Sequence, residues 1–260
     1  MLLTFQKYQG TGNDFVMIDQ RTQKYIDHND QKRIAFLCDR RFGIGADGLI
    51  FLELSENYDF KMVYFNADGR QSTMCGNGGR CIVHFAWSLG VCGQETSFEA
   101  IDGLHKGKIL DKDSVSIQMS DVQNITIEPD QTYVLNTGSP HYVKLVENLP
   151  EYIKTSGAEI RYSEEYKQEG INVNFVKINE NGIEVGTYER GVEDETLSCG
   201  TGVTAAAIAT YLDKKSNNNH VNIQTKGGQL SVSFEQAGDT FKNIWLTGPA
   251  TKVFDGNIEI

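Results

Sequence analysis

Met74-Cys75-Gly76-Asn77-Gly78 and Ser198-Cys199-Gly200-Thr201-Gly202 are two versions of one phrase, a cysteine set just before a Gly-x-Gly that opens an apolar run. Sliding the sequence by 124 residues lays Cys75 on Cys199, Gly76 on Gly200 and Gly78 on Gly202, and brings Tyr64 onto Tyr188 and Ser72 onto Thr196. A shift of 126 sets Thr11-Gly12-Asn13 against Thr137-Gly138-Ser139. Identities that keep one order at a spacing near half the chain read as a divergent duplication, with a period far too long for a solenoid.

Each phrase opens a helix. Residues 79–89 carry Cys81, Ile82, Val83, Phe85, Ala86, Trp87 and Leu89, with Gly90 as a stop. Residues 203–212 are apolar on almost every face and run into Lys214 and Lys215, so this helix is expected to be buried. A more amphipathic helix is expected from Asp30 to Cys38, with Asp30 capping its first turn. Strand patterns recur at Phe60–Phe65, Ser114–Met119, Val173–Ile178, Ile183–Tyr188, Leu230–Phe234 and Asn243–Leu246. Asn217 to Asn219 reads as a polar loop, and the polar stretch 120–140, with Pro129 and the turn Gly138-Ser139-Pro140, as a boundary. The expected fold is α/β of the α+β type. It has two pseudo-symmetric domains, each a mostly antiparallel sheet wrapped round a central helix: residues 1–119 joined by 250–260, and residues 120–249.

The chain has 260 residues, is 39% hydrophobic and carries a net charge of −11, which suits a folded protein and argues against a basic nucleic-acid footprint. No apolar run approaches a membrane span, and the first residues lack the basic and apolar regions of a signal peptide. Five cysteines (38, 75, 81, 92 and 199) without an export signal are expected as reduced thiols in a cytoplasm.

The phrase has a chemical logic. The first N–H groups of a helix lack internal partners and, with the helix dipole, favour negative charge. Glycines let a carboxylate approach the backbone. A thiol at that point has its pKa lowered from about 8.5. One such turn can hold a substrate carboxylate and poise a thiolate beside its α-carbon, and two supply the acid and base that stereoinversion requires. Cys38, Cys81 and Cys92 read as buried or incidental, and neither the cysteines nor the five histidines show metal-ligand spacing, so no metal is expected. Gly43-Ile44-Gly45-Ala46-Asp47-Gly48 fits G-x-G-x-x-G, but it follows a helix end rather than a strand, which disfavours a dinucleotide site.

Tyr64-Phe65-Asn66 and Tyr188-Glu189-Arg190 hold matching places at strand ends before the two cysteines. Arg190 suits a planar carboxylate and Glu189 an ammonium group. Asn13 and Asn172 are candidates for amide contacts, and His141, in a turn after Pro140, for a hydrogen bond to a thiol.

From Gly10-Thr11-Gly12-Asn13-Asp14-Phe15 to the C-terminus, the chain resembles the diaminopimelate epimerase family. The carrying motifs are Asn66-Ala67-Asp68-Gly69, Met74 to Cys81, Gly138-Ser139-Pro140-His141, Asn172-Val173-Asn174-Phe175, Tyr188-Glu189-Arg190-Gly191 and Cys199-Gly200-Thr201-Gly202. Cys-Gly-Thr-Gly alone is shared with proline racemases, which usually carry His where Asn77 stands. The resemblance implies a cofactor-independent epimerase interconverting LL- and meso-diaminopimelate for lysine and cell-wall synthesis. It also implies two pseudo-symmetric domains with the active site between them, often in a homodimer. Carried over by position, Cys75 and Cys199 form the acid–base pair. Gly76, Asn77, Gly200 and Thr201 hold the reacting carboxylate, and Asn13, Asn66, Asn172, Glu189 and Arg190 the distal amino acid end. His141 and Glu189 tune the thiols. The chain departs from the common pattern in having Gly48 for Gln, Ser139 for Asn, and one extra residue in Val192 to Thr196. The alternatives are a racemase of a smaller amino acid such as proline, and a non-catalytic amino-acid-binding protein of the same fold.

Overall fold

The structure is a computed structural model that describes residues 1–213 and 218–260. Lys214, Lys215 and Asn217, expected at the end of the second helix and in the polar loop after it, lie outside the described residues. The chain divides into two compact units, Met1–Ile117 with Gly248–Ile260, and Gln118–Thr247. Among the described residues no helix is long and apolar enough to cross a membrane.

In chain order the first part contains β1 (Leu2–Gly10), β2 (Asn13–Asp19), α1 (Gln31–Cys38), β3 (Gly48–Glu53), β4 (Phe60–Asn66), β5 (Gln71–Ser72), α2 (Gly76–Ser88), β6 (Glu95–Ala100), β7 (Gly103–Ile109) and β8 (Ser114–Gln118). There follow β9 (Thr126–Glu128), β10 (Thr132–Asn136), β11 (Pro140–Val146), α3 (Ile153–Arg161), β12 (Asn172–Asn179), β13 (Gly182–Glu189), β14 (Asp194–Thr196), α4 (Gly200–Leu212), β15 (His220–Thr225), β16 (Gly228–Ala237) and β17 (Thr240–Pro249). The last strand, β18 (Thr251–Glu259), returns to pair antiparallel with β1.

The two units repeat one pairing scheme. In the first, β1 is antiparallel to β2, β2 parallel to β3, β3 antiparallel to β4, β4 antiparallel to β5 and parallel to β6, and β6 antiparallel to β7. In the second, β10 to β16 follow the same sequence of antiparallel and parallel steps. The shift of 124 residues carries α2 onto α4 end to end. The strands are mostly antiparallel, as expected. Two parallel steps per unit arise where a helix makes the crossover, α1 and α2 in one and α3 and α4 in the other.

Burial explains the central helices. In α2 every residue from Gly76 to Ala86 is buried, and in α4 every residue from Gly202 to Thr210. Each fully buried Val, Ile or Phe side chain contributes about 1.5–3 kcal/mol on removal from water, so the sheets that cover these helices outweigh the poor helix propensity of their leading glycines. Both helices therefore start at the glycine after the cysteine, three residues before the apolar periodicity begins. Gly90 ends α2 as expected, at φ +68° with its N–H donating to the Trp87 carbonyl. Asp30 caps α1 by accepting from the Arg33 N–H.

Two features differ from the expected pattern. Helix α3 is not among the expected helices: it is only 9 residues long, buries only Ile153 and Gly157 fully, and its cap Tyr152 makes no side-chain bond. It forms because Gly157 lets it approach the Tyr188 ring, where any Cβ would collide. The polar stretch 120–140 holds the short strands β9 and β10, and the turn at Gly138 (φ +107°) ends at Pro140, which begins β11.

Candidate active site

Cys75 is the N-cap of α2. Its backbone is extended (φ −104°, ψ 148°) and its Sγ accepts a hydrogen bond from the Gly78 N–H at 3.2 Å. The sulfur therefore stands where a Ser or Asp cap would place oxygen, facing free helix N–H groups. The next turn is tied to the β1–β2 hairpin. Thr11 and Gly12 take φ +49° and +84°, the pair of left-handed residues that a two-residue hairpin requires. Asn77 Oδ1 receives both the Thr11 hydroxyl (3.2 Å) and an Arg80 guanidinium N–H (2.8 Å). Two donors on one oxygen fix the amide, so its nitrogen turns toward Asn13 Oδ1, 3.4 Å away.

Asn13 begins β2 and donates to Asp47 Oδ2 at 2.8 Å. Asp47 is gripped by Arg40, whose guanidinium also forks onto Asp14. Buried Lys7 pairs with Asp14 at 2.7 Å and donates to the Gly45 carbonyl. Burial pushes the Asp14 carboxyl up, but the bonds from Arg40 and Lys7 more than offset it and hold it well below the usual carboxylate range. The Gly43–Gly48 stretch is thus a loop braced by ion pairs, with no helix after it. Gly48 opens β3 opposite Asn66, the exposed last residue of β4. A Cβ at Gly48 would stand 2.6 Å from both the Tyr64 ring and the Phe65 carbonyl, so the tyrosine occupies the space a longer residue would need.

In the second unit Cys199 is the N-cap of α4 (φ −122°, ψ 113°), 8% exposed, with Thr201 Oγ1 3.5 Å from its Sγ. Thr137 donates to the Thr201 carbonyl at 2.8 Å, the counterpart of Thr11 beside Asn77. His141 differs from its expected turn position: it is the second residue of β11 and fully buried, because Pro140 starts the strand one residue earlier.

A single neighbour decides the protonation of His141. Asn174 is also fully buried; its Oδ1 accepts from Thr187 (2.9 Å) and its Nδ2 donates to the Tyr142 carbonyl (3.1 Å) and to His141 Nδ1 (3.0 Å). A carbonyl only accepts, so the amide cannot flip. His141 Nδ1 is therefore an acceptor, and the ring proton sits on Nε2, which has no hydrogen-bond partner among the described residues. Burial, and then Arg190, push the imidazole down to about 3, so it is neutral across the physiological range.

Asn172, 3% exposed, spends its amide on the scaffold: Nδ2 donates to Ser139 Oγ (2.8 Å) and the Pro140 carbonyl (2.9 Å), and Oδ1 accepts the Arg190 N–H (2.9 Å). The Arg190 guanidinium donates to the Glu169 carbonyl at 3.0 Å and lies 3.5 Å from Ser139 Oγ. Ser139 is thus part of the Asn172–Arg190 cluster. Glu189 ends β13 and has no ion pair among the described residues; burial raises its carboxyl. In the stretch 192–196, Glu193 adopts φ +58° and its carboxylate accepts from the Tyr162 and Tyr188 hydroxyls at 2.9 Å each.

Among the expected residues, the first unit brings Asn13 against Asn77 in the turn after Cys75, and the second brings Asn172 against Arg190. Thr11, Asp47, Arg80 and Asn174 hold these groups and were not singled out from sequence. Asn174 carried one signal: two residues after Asn172 on a strand, it shares that residue's face.

A model of the family described as diaminopimelate epimerase matches residues 5–125 and 133–253. The diaminopimelate epimerase of Flavobacterium psychrophilum is 54% identical over 254 residues, covering 97% of this chain and 98% of that one. The diaminopimelate epimerase of Archaeoglobus fulgidus is 37% identical over 281 residues, covering 100% and 98%. Among solved structures, a PhzF-family phenazine biosynthesis protein of Bacillus anthracis aligns over the whole of both chains with TM-score 0.78 at 12% identity. A hydroxyproline epimerase from Agrobacterium vitis, with bound trans-4-hydroxy-L-proline, aligns over 99% of this chain and 92% of that one with TM-score 0.68 at 14% identity. These two establish the shared fold of two pseudo-symmetric domains. The family match across both units and the near full-length identity establish more: the chain belongs to the diaminopimelate epimerase family of isomerases.

Proposed function

We propose that this protein interconverts LL- and meso-diaminopimelate without a cofactor, using Cys75 and Cys199 as a two-base pair. The observation that carries the reading is that both copies of the phrase place their cysteine at the N-cap position of a buried helix, with Cys75 Sγ accepting from the Gly78 N–H and Cys199 Sγ 3.5 Å from Thr201 Oγ1. One sulfur, as thiolate, takes the α-proton and becomes a thiol. The other, as thiol, gives its proton to the opposite face and becomes a thiolate. No net proton or electron is gained, and the reverse reaction swaps the roles.

Each positioned acid or base contributes about 10²–10⁴-fold, so the remaining acceleration must come from stabilising the carbanion-like intermediate. Gly76, Asn77, Gly200 and Thr201 lie at the helix starts, where N–H groups and dipoles favour charge building on the substrate carboxylate. Asn13, Asn66, Asn172, Glu189 and Arg190 hold the distal end, with Asn172 fixing the backbone of Arg190. A pocket built for that far end rejects the wrong configuration by leaving its buried polar groups unpaired. Neutral His141 offers only an Nε2–H donor, which stabilises a thiolate without competing for the substrate proton, and Glu189 assists the same balance. The product serves lysine and cell-wall synthesis in the cytoplasm, and the working assembly is a homodimer.

The test is to change Cys75 or Cys199 to Ala and follow epimerisation of LL-diaminopimelate together with α-deuterium uptake from deuterated water. Loss of epimerisation by at least about 10²-fold in each variant is expected. Near-native epimerisation by either variant overturns the two-cysteine reading, and racemisation of proline in place of diaminopimelate overturns the substrate.

A further inference from the structure

Among the described residues Arg80 is the largest fully buried side chain, and no carboxylate lies within ion-pair distance of it. Its donors go to neutral oxygens only: the Gly76 carbonyl (3.2 Å), the Pro249 carbonyl (3.2 Å), Thr11 Oγ1 (3.3 Å) and Asn77 Oδ1 (2.8 Å). A buried charge is costly unless an opposite charge answers it. Arg80 stands on α2 little more than one turn beyond the Cys75 cap, bonded to the residue that follows the cysteine.

We propose that Arg80 is a positioning residue for the reaction: a fixed buried cation that favours the Cys75 thiolate and the carboxylate bound beside it, and a clamp that holds Asn77 with its amide nitrogen turned as a donor toward Asn13. This rests on the assignment of Cys75 as an acid–base group. Thr11 and Arg80 together saturate Asn77 Oδ1, so Asn77 is presented as a donor, the polarity a carboxylate needs. The other titratable groups around the helix do not supply this charge. Cys81 is buried on α2 itself, with its thiol pushed up to about 12 by burial. Tyr8 on β1 bonds His84 on α2. Asp102 and His105, at the β6–β7 turn, pair with each other, and Asp102 also accepts the Met74 N–H. Burial pushes the Arg80 guanidinium down only to about 10, so it stays charged at neutral pH.

The experiment measures Cys75 itself. Iodoacetamide alkylation is followed against pH on the full-length native protein, Arg80→Gln and Arg80→Lys, with Cys75 resolved from Cys199 by peptide mass spectrometry. Arg80→Gln keeps a donor and loses the charge; its midpoint is expected to rise by about one pH unit or more, the effect of a unit charge roughly one helical turn away at the effective permittivity of protein. Arg80→Lys keeps a charge without the fork; it is expected to move the midpoint by less than half as much while raising KM for substrate, because Asn77 is no longer clamped. Folded variants whose Cys75 midpoints all stay within about 0.3 of native overturn the proposal, since a structural brace alone predicts that result. If neither variant folds, a native midpoint at or above the free-thiol value of about 8.5 overturns it directly. Alkylation does not depend on the substrate, so these outcomes are independent of the diaminopimelate assignment, which the Cys→Ala assays test.

Discussion

Gly78 and Gly202 hold the same place in the duplicated phrase, third in their helices, yet alanine is expected to be tolerated at the first and costly at the second. Helix propensity alone favours Ala over Gly by about 1 kcal/mol at each. A Cβ on Gly78 would meet Ile50 Cδ1 at 3.1 Å, Cys75 Sγ at 3.2 Å and Met62 Cε at 3.4 Å, mostly ends of flexible side chains that can yield by tenths of an ångström. A Cβ on Gly202 would overlap Asn174 Oδ1, well inside the 3.0 Å that such contacts essentially never breach. Asn174 cannot retreat cheaply. Three hydrogen bonds hold it in a pocket closed to solvent, and moving Oδ1 strips the 2.9 Å bond from Thr187. Overpacking costs about 1–3 kcal/mol and an orphaned buried hydroxyl about 1–3 more. After the propensity gain, Gly202→Ala is expected to lose about 1–5 kcal/mol, or about 4–18 °C of Tm for a unit of this size, whereas Gly78→Ala stays within about 1 kcal/mol. Denaturant unfolding reads both. Trp87 lies in α2 and Trp245 in β17, so a Trp87→Phe background confines fluorescence to the unit that contains Gly202. A Gly202→Ala protein as stable as native would refute the claim that Asn174 is pinned, and with it the tautomer assigned to His141.

Three further outcomes follow from the same geometry. His141 is neutral when folded down to about pH 3 but titrates near 6.5 when unfolded. The unfolded chain therefore binds one more proton between these values, so His141 adds stability above about 6.5 that is lost as pH falls toward 3; His141→Gln should lessen the fall by up to about 1.4 kcal/mol per pH unit across that window. An unchanged slope would mean the imidazole is not buried neutral. Asp14→Asn removes the carboxylate beside buried Lys7 and should destabilise by about 3 kcal/mol in denaturant unfolding, because the lysine charge is left without its partner; a loss under about 1 kcal/mol would show the pair to be solvated. Asn172→Ala frees the Arg190 backbone and Ser139, and should raise KM for diaminopimelate far more than it lowers kcat; an effect confined to kcat would argue against a role at the distal end.

Much of the site was legible as residue types and little of it as contacts. The duplicated phrase located both helix starts because a cysteine followed by Gly-x-Gly is a local signal. The first turns were hidden, since glycine is a poor helix former and the apolar pattern begins only after it. Helix α3 escaped because its packing depends on the absence of a side chain at Gly157, which no hydrophobic period records. Gly138-Ser139-Pro140 signals a turn before His141, but Pro140 suits the first residue of a strand equally well.

The sequence by itself determined that two related halves each carry a thiol at a helix N-terminus, and it named the polar residues grouped around those thiols. Those readings rest on short-range chemistry: helix capping, turn residues and hydrophobic period. The tertiary structure decided which way the amides of Asn77 and Asn174 point, which nitrogen of His141 holds the proton, and that the charge of Arg80 has no acid beside it among the described residues. Each of these depends on partners brought together from distant parts of the chain, Thr11 onto Asn77, Thr187 onto Asn174 and Pro249 onto Arg80, and hydrogen-bond direction is fixed only when both ends of a bond are in place.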